Sequence, residues 1–312
     1  MSKRTKASLA VLACLSTFVG CAPPRPKYEL KLPALHTTLP NGMRVIVLTD
    51  ATTDLVEVAV RWEVGSIEDY EGKAGLAHLV EHMMFQQRPA GPDQPPIFQV
   101  LKKFATFFNA FTKEETTHYM AMGKKEALEN LIAIDASRIN FGCKSIPEVE
   151  FTRERDVVRN EIRGGWSTPE GQIPYLLLDD IYGKEHAYGR EIGGDDKQIF
   201  NITMDDVCRF MNDYYVPERA TMIIAGNTTE EEVQKLVTKW LAPLPKRTPA
   251  PRRSVDAINL KRKVFTHELN VEQTSVFVAW KLPPKYSEDD LAGRFMMGAV
   301  AGETSFFGDR YD

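Results

Sequence analysis

The segment Gly75–Met83 constrains the fold more than any other part of the sequence. It reads Gly-Leu-Ala-His-Leu-Val-Glu-His-Met. Because a helix turns by about 100° per residue, it would place His78, Glu81 and His82 on one face and the large apolar residues on the opposite face. A helix of this kind buries its apolar face in a core. The sequence therefore predicts a packed helix whose three polar side chains converge on one point.

These three side chains have the types and the spacing of a metal-dependent hydrolytic site. Imidazoles at positions i and i+4 can both reach one Zn²⁺ at about 2.0–2.1 Å. Glu81 follows His78 by three residues and would lie beside the metal, placed to take a proton from a water molecule. The order H-x-x-E-H is typical of inverzincins. The alternative is a chance match on a surface helix, which requires three polar residues to share a face by coincidence.

A zinc site with two histidines needs a third protein ligand, and a second helix, predicted over 147–163, offers candidates. Glu154 and Glu161 are seven residues apart and share one face. Val157 and Val158 flank that face, which favours acids that point inward toward a cation. The alternative is an exposed acidic helix whose carboxylates pair with arginines of the same helix. Periodicity alone does not choose between the two interpretations.

The composition is that of a globular soluble protein. The chain has 312 residues, of which 43% are hydrophobic and 26% charged, enough for one or two domains. The net charge of −4 provides no large basic excess to neutralise phosphates. We therefore expect no nucleic-acid partner.

The N-terminus has the pattern of an export signal. Basic residues at positions 3, 4 and 6 precede an apolar run over 7–20, which is too short to span a bilayer. The run ends at Gly20-Cys21, which resembles the end of a bacterial lipoprotein signal. Cleavage would leave a lipidated Cys21 and a periplasmic protein held to the membrane by its lipid anchor only. The alternative is a plain secretory signal with an incidental cysteine.

Two cysteines, Cys143 and Cys208, remain in the expected folded part of the chain. Their spacing has no metal-binding pattern. A disulfide is possible in an oxidising compartment, but the sequence does not show that the two residues meet. We expect two buried free thiols.

Strands and helices follow one another along the chain. Runs rich in Val, Ile, Thr and aromatic residues predict extended segments at 43–48, 55–64, 107–122, 221–225 and 273–282. Helical patterns are predicted from about residue 73 and at 124–140, 147–163, 203–214, 228–241 and 288–300, with 179–194 irregular. Capping boxes are expected to begin at Ser145, Thr203 and Thr228.

Proline-rich stretches divide the chain into parts. Four prolines within 22–35 predict a tether after a signal peptide at 1–21. Four prolines and four basic residues between Pro243 and Arg253 predict a domain boundary. We therefore expect a catalytic domain at 36–242, a linker at 243–260 and an incomplete second domain at 261–312.

Taken together, these segments resemble the pitrilysin family of zinc metallopeptidases, which includes insulin-degrading enzyme and the mitochondrial processing peptidase. The resemblance extends from about Thr38 to Asn227. Residues 75–85 look like the family's active-site helix, and residues 154–161 look like its second active-site helix. The resemblance implies an α+β fold, with a mostly antiparallel sheet packed against helices as half of a clamshell. The start of a second similar domain would follow.

The same resemblance implies a role for each residue of the site. His78, His82 and Glu161 would bind one Zn²⁺ per chain. Glu81 would be the general base, and Glu154 would support the site without binding the metal.

A further segment, Asn109-Ala110-Phe111-Thr112, is similar to the family's substrate-binding edge strand. An edge strand offers unpaired N–H and C=O groups to an extended peptide. Asn109 could add a hydrogen bond to the substrate backbone. The alternative is an ordinary strand of the same sheet.

The expected function is zinc-dependent endopeptidase cleavage of extended peptides or unfolded protein segments. The family's second domain supplies Arg and Tyr residues that close over the substrate, and no match to them precedes Asp312. The alternative is therefore a zinc-binding but inactive partner subunit, or a truncated chain with impaired catalysis. A homo- or heterodimer would then complete the chamber.

Overall fold

The computed structural model describes residues 34–258 and 263–301. The predicted signal peptide with the expected lipidation site Cys21, nearly all of the predicted tether, and the last eleven residues of the predicted second domain lie outside the described residues. Within the described ranges, no helix combines the length and apolar character needed to cross a membrane.

A six-stranded sheet forms the centre of the domain. Its strands are β1 (Ala34–Thr38), β2 (Arg44–Thr49), β3 (Leu55–Trp62), β4 (Ala105–Thr112), β5 (Thr117–Lys124) and β6 (Ala220–Gly226). They lie in the order β1-β2-β6-β3-β5-β4. Strands β2 and β6 are parallel, whereas β3 is antiparallel to both β5 and β6, and β4 is antiparallel to β5. The sheet is mostly antiparallel, as expected, and β4 is an edge strand.

Alternation along the strands decides which face of the sheet is buried. In β3, Val56, Val58, Val60 and Trp62 are at most 1% exposed, whereas Glu57 between them is exposed. Successive side chains of a strand point to opposite faces, so β3 directs its apolar set to one side. This apolar set belongs to the buried core of the domain.

Nine α-helices complete the described fold. They are α1 (Leu76–Gln86), α2 (Ile97–Phe104), α3 (Leu128–Phe141), α4 (Glu148–Trp166), α5 (Pro169–Tyr182), α6 (Asp196–Phe200), α7 (Met204–Tyr214), α8 (Glu230–Trp240) and α9 (Asp290–Ala301). Helix α1 contacts α4 and α7 as well as β4. Its side chains Leu76, Leu79, Val80 and Met83 are fully buried, and each such burial contributes about 1.5–3 kcal/mol. The predicted apolar face of α1 is therefore its core face.

The predicted helix starts have mixed outcomes. The capping box at Thr203 is confirmed, because Thr203 and Asp206 exchange side-chain to backbone hydrogen bonds of 2.9 and 3.2 Å. The next cap lies one residue later than expected, at Thr229. The box at Ser145 is wrong, since α4 begins after Pro147 and no side chain caps it.

Three features of the regular structure differ from the sequence prediction. The extended run 107–122 is part of two strands, β4 and β5, joined by a turn at 113–116. Helix α5 was not predicted, although Thr168 caps it and Pro169 occupies its first turn, which is a typical helix start. The run 273–282 forms no strand. A strand requires a neighbour for its backbone groups, and this run is not part of the described sheet.

The cysteines also differ from expectation. Cys143, in a 3-10 segment after α3, and Cys208, in α7, form a disulfide with Cα atoms 5.1 Å apart. The expectation of free thiols is wrong, because the 3-10 segment packs against α7 and brings together two residues that are 65 positions apart in sequence.

Residues 243–253, called the strap below, lie along the surface of the domain. Leu244 is 7% exposed. Arg247 Nη2 donates to the carbonyl oxygens of Ile139 and Tyr215 at 3.3 and 3.0 Å. The N–H of Ala250 donates to the Asp213 carbonyl at 2.8 Å. The strap is therefore held to the domain by hydrogen bonds and by burial.

Candidate metal centre and active site

The N-terminus of α1 is held in place by a buried carboxylate. Gly75 precedes the helix with φ of 93°, and an added Cβ there would collide with the carbonyl oxygen of Gly193. Asp69 is 1% exposed and accepts the N–H groups of Gly75 and Ala77 at 2.8 and 2.7 Å. Burial raises the pKa of Asp69 to about 7, although these hydrogen bonds oppose the shift. Asp69 thus caps the helix that carries the histidines.

The structure brings three of the predicted site residues together. Glu161 Oε2 lies 3.9 Å from His78 Nε2 and 3.7 Å from His82 Nε2. The two rings are nearly perpendicular, with centroids 4.9 Å apart. One ligand atom from each of the three residues lies within 4.8 Å of the other two. Helices α1 and α4 therefore direct two imidazoles and a carboxylate toward the same space.

This donor set fits a zinc ion. Two imidazole nitrogens and one carboxylate oxygen are a set that catalytic zinc sites use, with a fourth position left open. Burial, together with the neighbouring His82, lowers the pKa of His78 to about 4. His78 is therefore neutral near pH 7 and has a lone pair to offer a cation.

Glu154 orients the second imidazole. His82 Nδ1 lies 3.3 Å from Glu154 Oε2. Gln86 Nε2 and Arg153 Nη2 both donate to Glu154 Oε1 at 3.0 Å. Burial raises the pKa of Glu154, but the hydrogen bonds and charges of His82 and Arg153 outweigh it and hold that pKa below its usual value. The ionised Glu154 can accept the Nδ1 proton and leave His82 Nε2 facing Glu161.

Opposing influences act on His82 itself. Burial lowers the pKa of its imidazole. The hydrogen bond to Glu154 and the charges of Glu161, Glu81 and Glu154 raise that pKa by more than burial lowers it, so the pKa lies above its usual value. The surrounding acids thus create a negative environment that favours a cation at this position.

Glu81 is 8% exposed and lies on the same side of α1. The Thr112 hydroxyl donates to Glu81 Oε2 at 2.6 Å. Burial raises the pKa of Glu81, and the hydrogen bond from Thr112 opposes the shift without cancelling it. Glu81 is therefore a stronger base than an exposed glutamate. Its bond to Thr112 also ties α1 to the edge strand β4.

Features of both interpretations of α4 are present in the structure. The side chains of Glu154 and Glu161 are 11% and 48% exposed, and both face the histidines of α1. Arg159 and Arg163 pair with Asp196, at 2.8 and 2.9 Å, and not with these two glutamates. Arg153 of the same helix pairs with Glu154 at 3.0 Å. Among the described residues, Glu161 contacts the two histidines and no arginine.

The segment Asn109–Thr112 lies in the edge strand β4. Asn109 is exposed, and its side chain accepts the N–H of Ala110 at 2.9 Å. The Phe111 ring stacks on His118 with centroids 4.6 Å apart. Thr112 faces α1 and binds Glu81, a contact that was not expected from the sequence.

Two residues that hold the site together were not identified from the sequence. Gln86 follows His82 by four residues, so it occupies the same face of α1 and reaches Glu154. That spacing could have identified it. Asp69 lies before the helix, and its carboxylate reaches Gly75 and Ala77 across a turn that has no strong sequence signal.

Two sequence profiles of known families together match most of the chain. The sequence profile described as Insulinase (Peptidase family M16) matches residues 44–196, which include His78, His82 and Glu161. The profile described as Peptidase M16 inactive domain matches residues 201–307.

Two relatives illustrate the extent of the similarity. Zinc protease PqqE of Helicobacter pylori is 28% identical over 278 residues, which cover 86% of this chain and 59% of the relative. The probable mitochondrial-processing peptidase subunit beta of Arabidopsis thaliana is 28% identical over 216 residues, which cover 67% of this chain and 38% of the relative. The chain thus spans 59% or less of the length of these two curated relatives.

Solved structures share the fold. A protease from Helicobacter pylori superposes with a TM-score of 0.62 at 26% identity, over 72% of this chain and 53% of that chain. The first half of the periplasmic protease PqqL from Escherichia coli gives a TM-score of 0.61 at 23% identity, over 72% of this chain and 48% of that chain. The sequence profiles and the shared fold agree, and the chain belongs to the insulinase family of peptidases, M16.

Proposed function

We propose that this chain is a zinc-dependent endopeptidase that cleaves extended peptides or unfolded protein segments. His78, His82 and Glu161 would bind one Zn²⁺, and Glu81 would be the general base. The observation that carries the proposal is the convergence of three ligand atoms within 4.8 Å of one another, beside a buried carboxylate that does not belong to the trio.

A bound zinc ion would supply Lewis-acid polarisation of the scissile carbonyl and would lower the pKa of a coordinated water toward about 7. Glu81 takes the proton from the attacking water and passes it to the leaving amine. Burial raises the pKa of Glu81, which suits a group that must both accept and release a proton near neutral pH. The Thr112 hydroxyl keeps the carboxylate oriented.

The substrate backbone would align along β4. This strand pairs with β5 on one side and forms the edge of the sheet on the other. Added as a further strand, an extended peptide would use the outward-facing N–H and C=O groups of residues 109–112, and it would displace the Asn109 side chain from the Ala110 N–H. Because Thr112 binds Glu81, a peptide beside this segment would lie next to the proposed base.

The relatives support this proposal in part. Several are named zinc proteases, and one is named a mitochondrial-processing peptidase subunit. One neighbour of known structure is a periplasmic protease. We extend the proposal to an exported protein, anchored by lipid at Cys21, in which a second chain could complete the substrate chamber.

Substitution of Glu81 by glutamine tests the proposed base. The amide keeps the size of the side chain but cannot take a proton, so we expect zinc to be retained and peptide cleavage to fall by roughly 10²–10⁴-fold. Zinc content by elemental analysis and cleavage of an unstructured fluorogenic peptide provide the two readouts. Glu57→Gln, on the exposed side of β3, is the matched control.

The outcomes separate the competing functions. Unchanged turnover in Glu81→Gln would exclude Glu81 as the base. A wild-type chain that binds zinc and cleaves no peptide would instead favour the inactive-subunit alternative.

A further inference from the structure

A loop that precedes α1 contains a second buried acid next to the helix cap. Glu68 is 0% exposed and directly precedes Asp69, which caps α1. Its Oε2 accepts the N–H of Gly65 at 3.0 Å, and its Oε1 accepts Nε of Arg252 at 3.1 Å. Arg252 belongs to the strap, 184 residues further along the chain. The strap therefore contacts the loop that caps the N-terminus of α1.

The same loop, residues 65–69, also holds the turn between β4 and β5. The N–H groups of Ser66 and Ile67 donate to the carbonyl oxygens of Lys113 and Glu114 at 3.1 and 3.0 Å. Arg252 Nη2 donates to the Glu115 carbonyl at 3.1 Å. We call residues 65–69 the junction loop, because the cap of α1, the β4–β5 turn and the strap all meet there.

Arg252 is the ionic partner of Glu68. Among the described residues, its guanidinium is the one that hydrogen-bonds to this carboxylate. Arg219 lies nearby, but it donates to the carbonyl oxygens of Glu63 and Ala250. Glu68 is fully buried, whereas the Arg252 side chain is 36% exposed. Removing Arg252 would leave the buried carboxylate without its ionic partner, which is more disruptive than removing both charges. The junction loop would then rearrange to solvate Glu68.

We propose that Arg252 is a positioning residue of the peptidase site and acts through Glu68. Arg252 holds the junction loop in the conformation in which Asp69 caps α1 and the β4–β5 hairpin keeps Thr112 on Glu81. This inference rests on the proposed function. It assigns to the strap a role in the geometry of the site in addition to its role as a connection.

The test compares two neighbouring arginines of the strap in the full chain. Arg252→Gln removes the ion pair with Glu68, and Arg253→Gln removes an exposed charge one residue later. We expect kcat for an unstructured peptide to fall on the order of tenfold in Arg252→Gln, with KM little changed, as for supporting residues of metal sites. Arg253→Gln should match the wild type.

A double variant separates positioning from general loss of stability. Glu68→Gln combined with Arg252→Gln removes both charges, so we expect it to recover most of the lost kcat. Recovery supports the ion pair as the cause. An Arg252→Gln variant whose kcat equals that of Arg253→Gln, or a lower melting temperature without any change in kcat, would overturn the proposal.

Hydrogen exchange gives a readout that does not depend on activity. Asp69 accepts the N–H groups of Gly75 and Ala77, so we expect both amides to exchange faster in Arg252→Gln than in Arg253→Gln. Equal exchange would contradict the link between strap and helix. The two proposals can also fail separately. If these amides exchange faster in Arg252→Gln but the wild-type protein neither binds zinc nor cleaves peptide, the peptidase function is refuted and the link between strap and helix stands.

Discussion

The two helices that contribute the proposed metal ligands His78, His82 and Glu161 hold these side chains in different ways. Helix α1 is fixed on several sides: its apolar residues are buried, Asp69 caps it, and Glu154 contacts His82. Helix α4 contributes Glu161, whose side chain is 48% exposed. The two histidine side chains are 22% and 20% exposed. The site thus combines a preorganised pair of imidazoles with a carboxylate that has room to adjust.

The fold therefore fixes the imidazoles more firmly than the carboxylate before any metal binds. The Nε2 to Oε2 distances of 3.7 and 3.9 Å are somewhat longer than the spacing of about 3.3–3.4 Å between ligands in a tetrahedral zinc site with 2.0–2.1 Å bonds. A small rotation of Glu161 can close this gap, because solvent surrounds part of its side chain. The same movement of α1 would cause more strain, because the buried side chains of this helix are closely packed.

The largest expected effect comes from the trio itself. If α1 supplies the preorganised ligands, His82→Ala should abolish zinc retention and cleavage, whereas Glu161→Gln should weaken zinc binding and still retain some metal at high zinc concentration. Zinc affinity by competition with a chromophoric chelator measures the difference. His36→Ala, an exposed histidine in β1, is the control. Equal loss in the two variants would remove the distinction between the helices.

A smaller effect on zinc binding is expected at Glu154, the residue of α4 that contacts His82 of α1. Glu154→Gln keeps the shape of the side chain but loses the charge that holds His82, so zinc affinity should fall by roughly 10–100-fold. The same competition assay measures the change. Glu148→Gln, at the exposed start of α4, is the control. Unchanged affinity in Glu154→Gln would show that packing alone orients His82.

The smallest effect concerns Glu191, a half-buried acid. Burial raises the pKa of Glu191 from 4.5 to about 7, with the Tyr175 hydroxyl opposing the shift. The native state therefore keeps a proton that the unfolded state releases, and stability should fall as the pH rises from about 4.5 to 7. Glu191→Gln has no charge to bury, so it should melt at a higher temperature than the wild type at pH 8.

That advantage should shrink at pH 5, where the native wild type keeps its proton. Melting temperatures of the zinc-free proteins at the two pH values provide the measurement. Glu71→Gln, at an exposed position, should show no such dependence. A constant difference between Glu191→Gln and the wild type would mean that Glu191 is solvated and that its surroundings are less tightly packed than those of α1.

The sequence predicts local parts of this architecture well, for physical reasons. Alternating Val residues identify β3, and the four-residue spacing of His78 and His82 places both on one face of α1. These signals depend on the period of one strand or one helix. They are therefore visible without knowledge of the rest of the chain.

Features that depend on tertiary packing were missed or left open. Periodicity could not decide whether Glu161 meets the histidines, because that depends on how α1 and α4 pack. The Cys143–Cys208 disulfide and the contact between Arg252 and Glu68 join residues far apart in sequence. The run 273–282 has the composition of a strand, yet composition does not supply the neighbouring strand that it needs.

Zinc-edge anomalous diffraction from crystals of Glu81→Gln would locate the metal itself, since this variant should keep the metal and leave a bound peptide intact. We expect one anomalous peak per chain, bonded to His78 Nε2, His82 Nε2 and a carboxylate oxygen of Glu161. A zinc-loaded crystal with no peak between these three side chains, or with Glu161 turned away from a metal held elsewhere, would contradict this expectation.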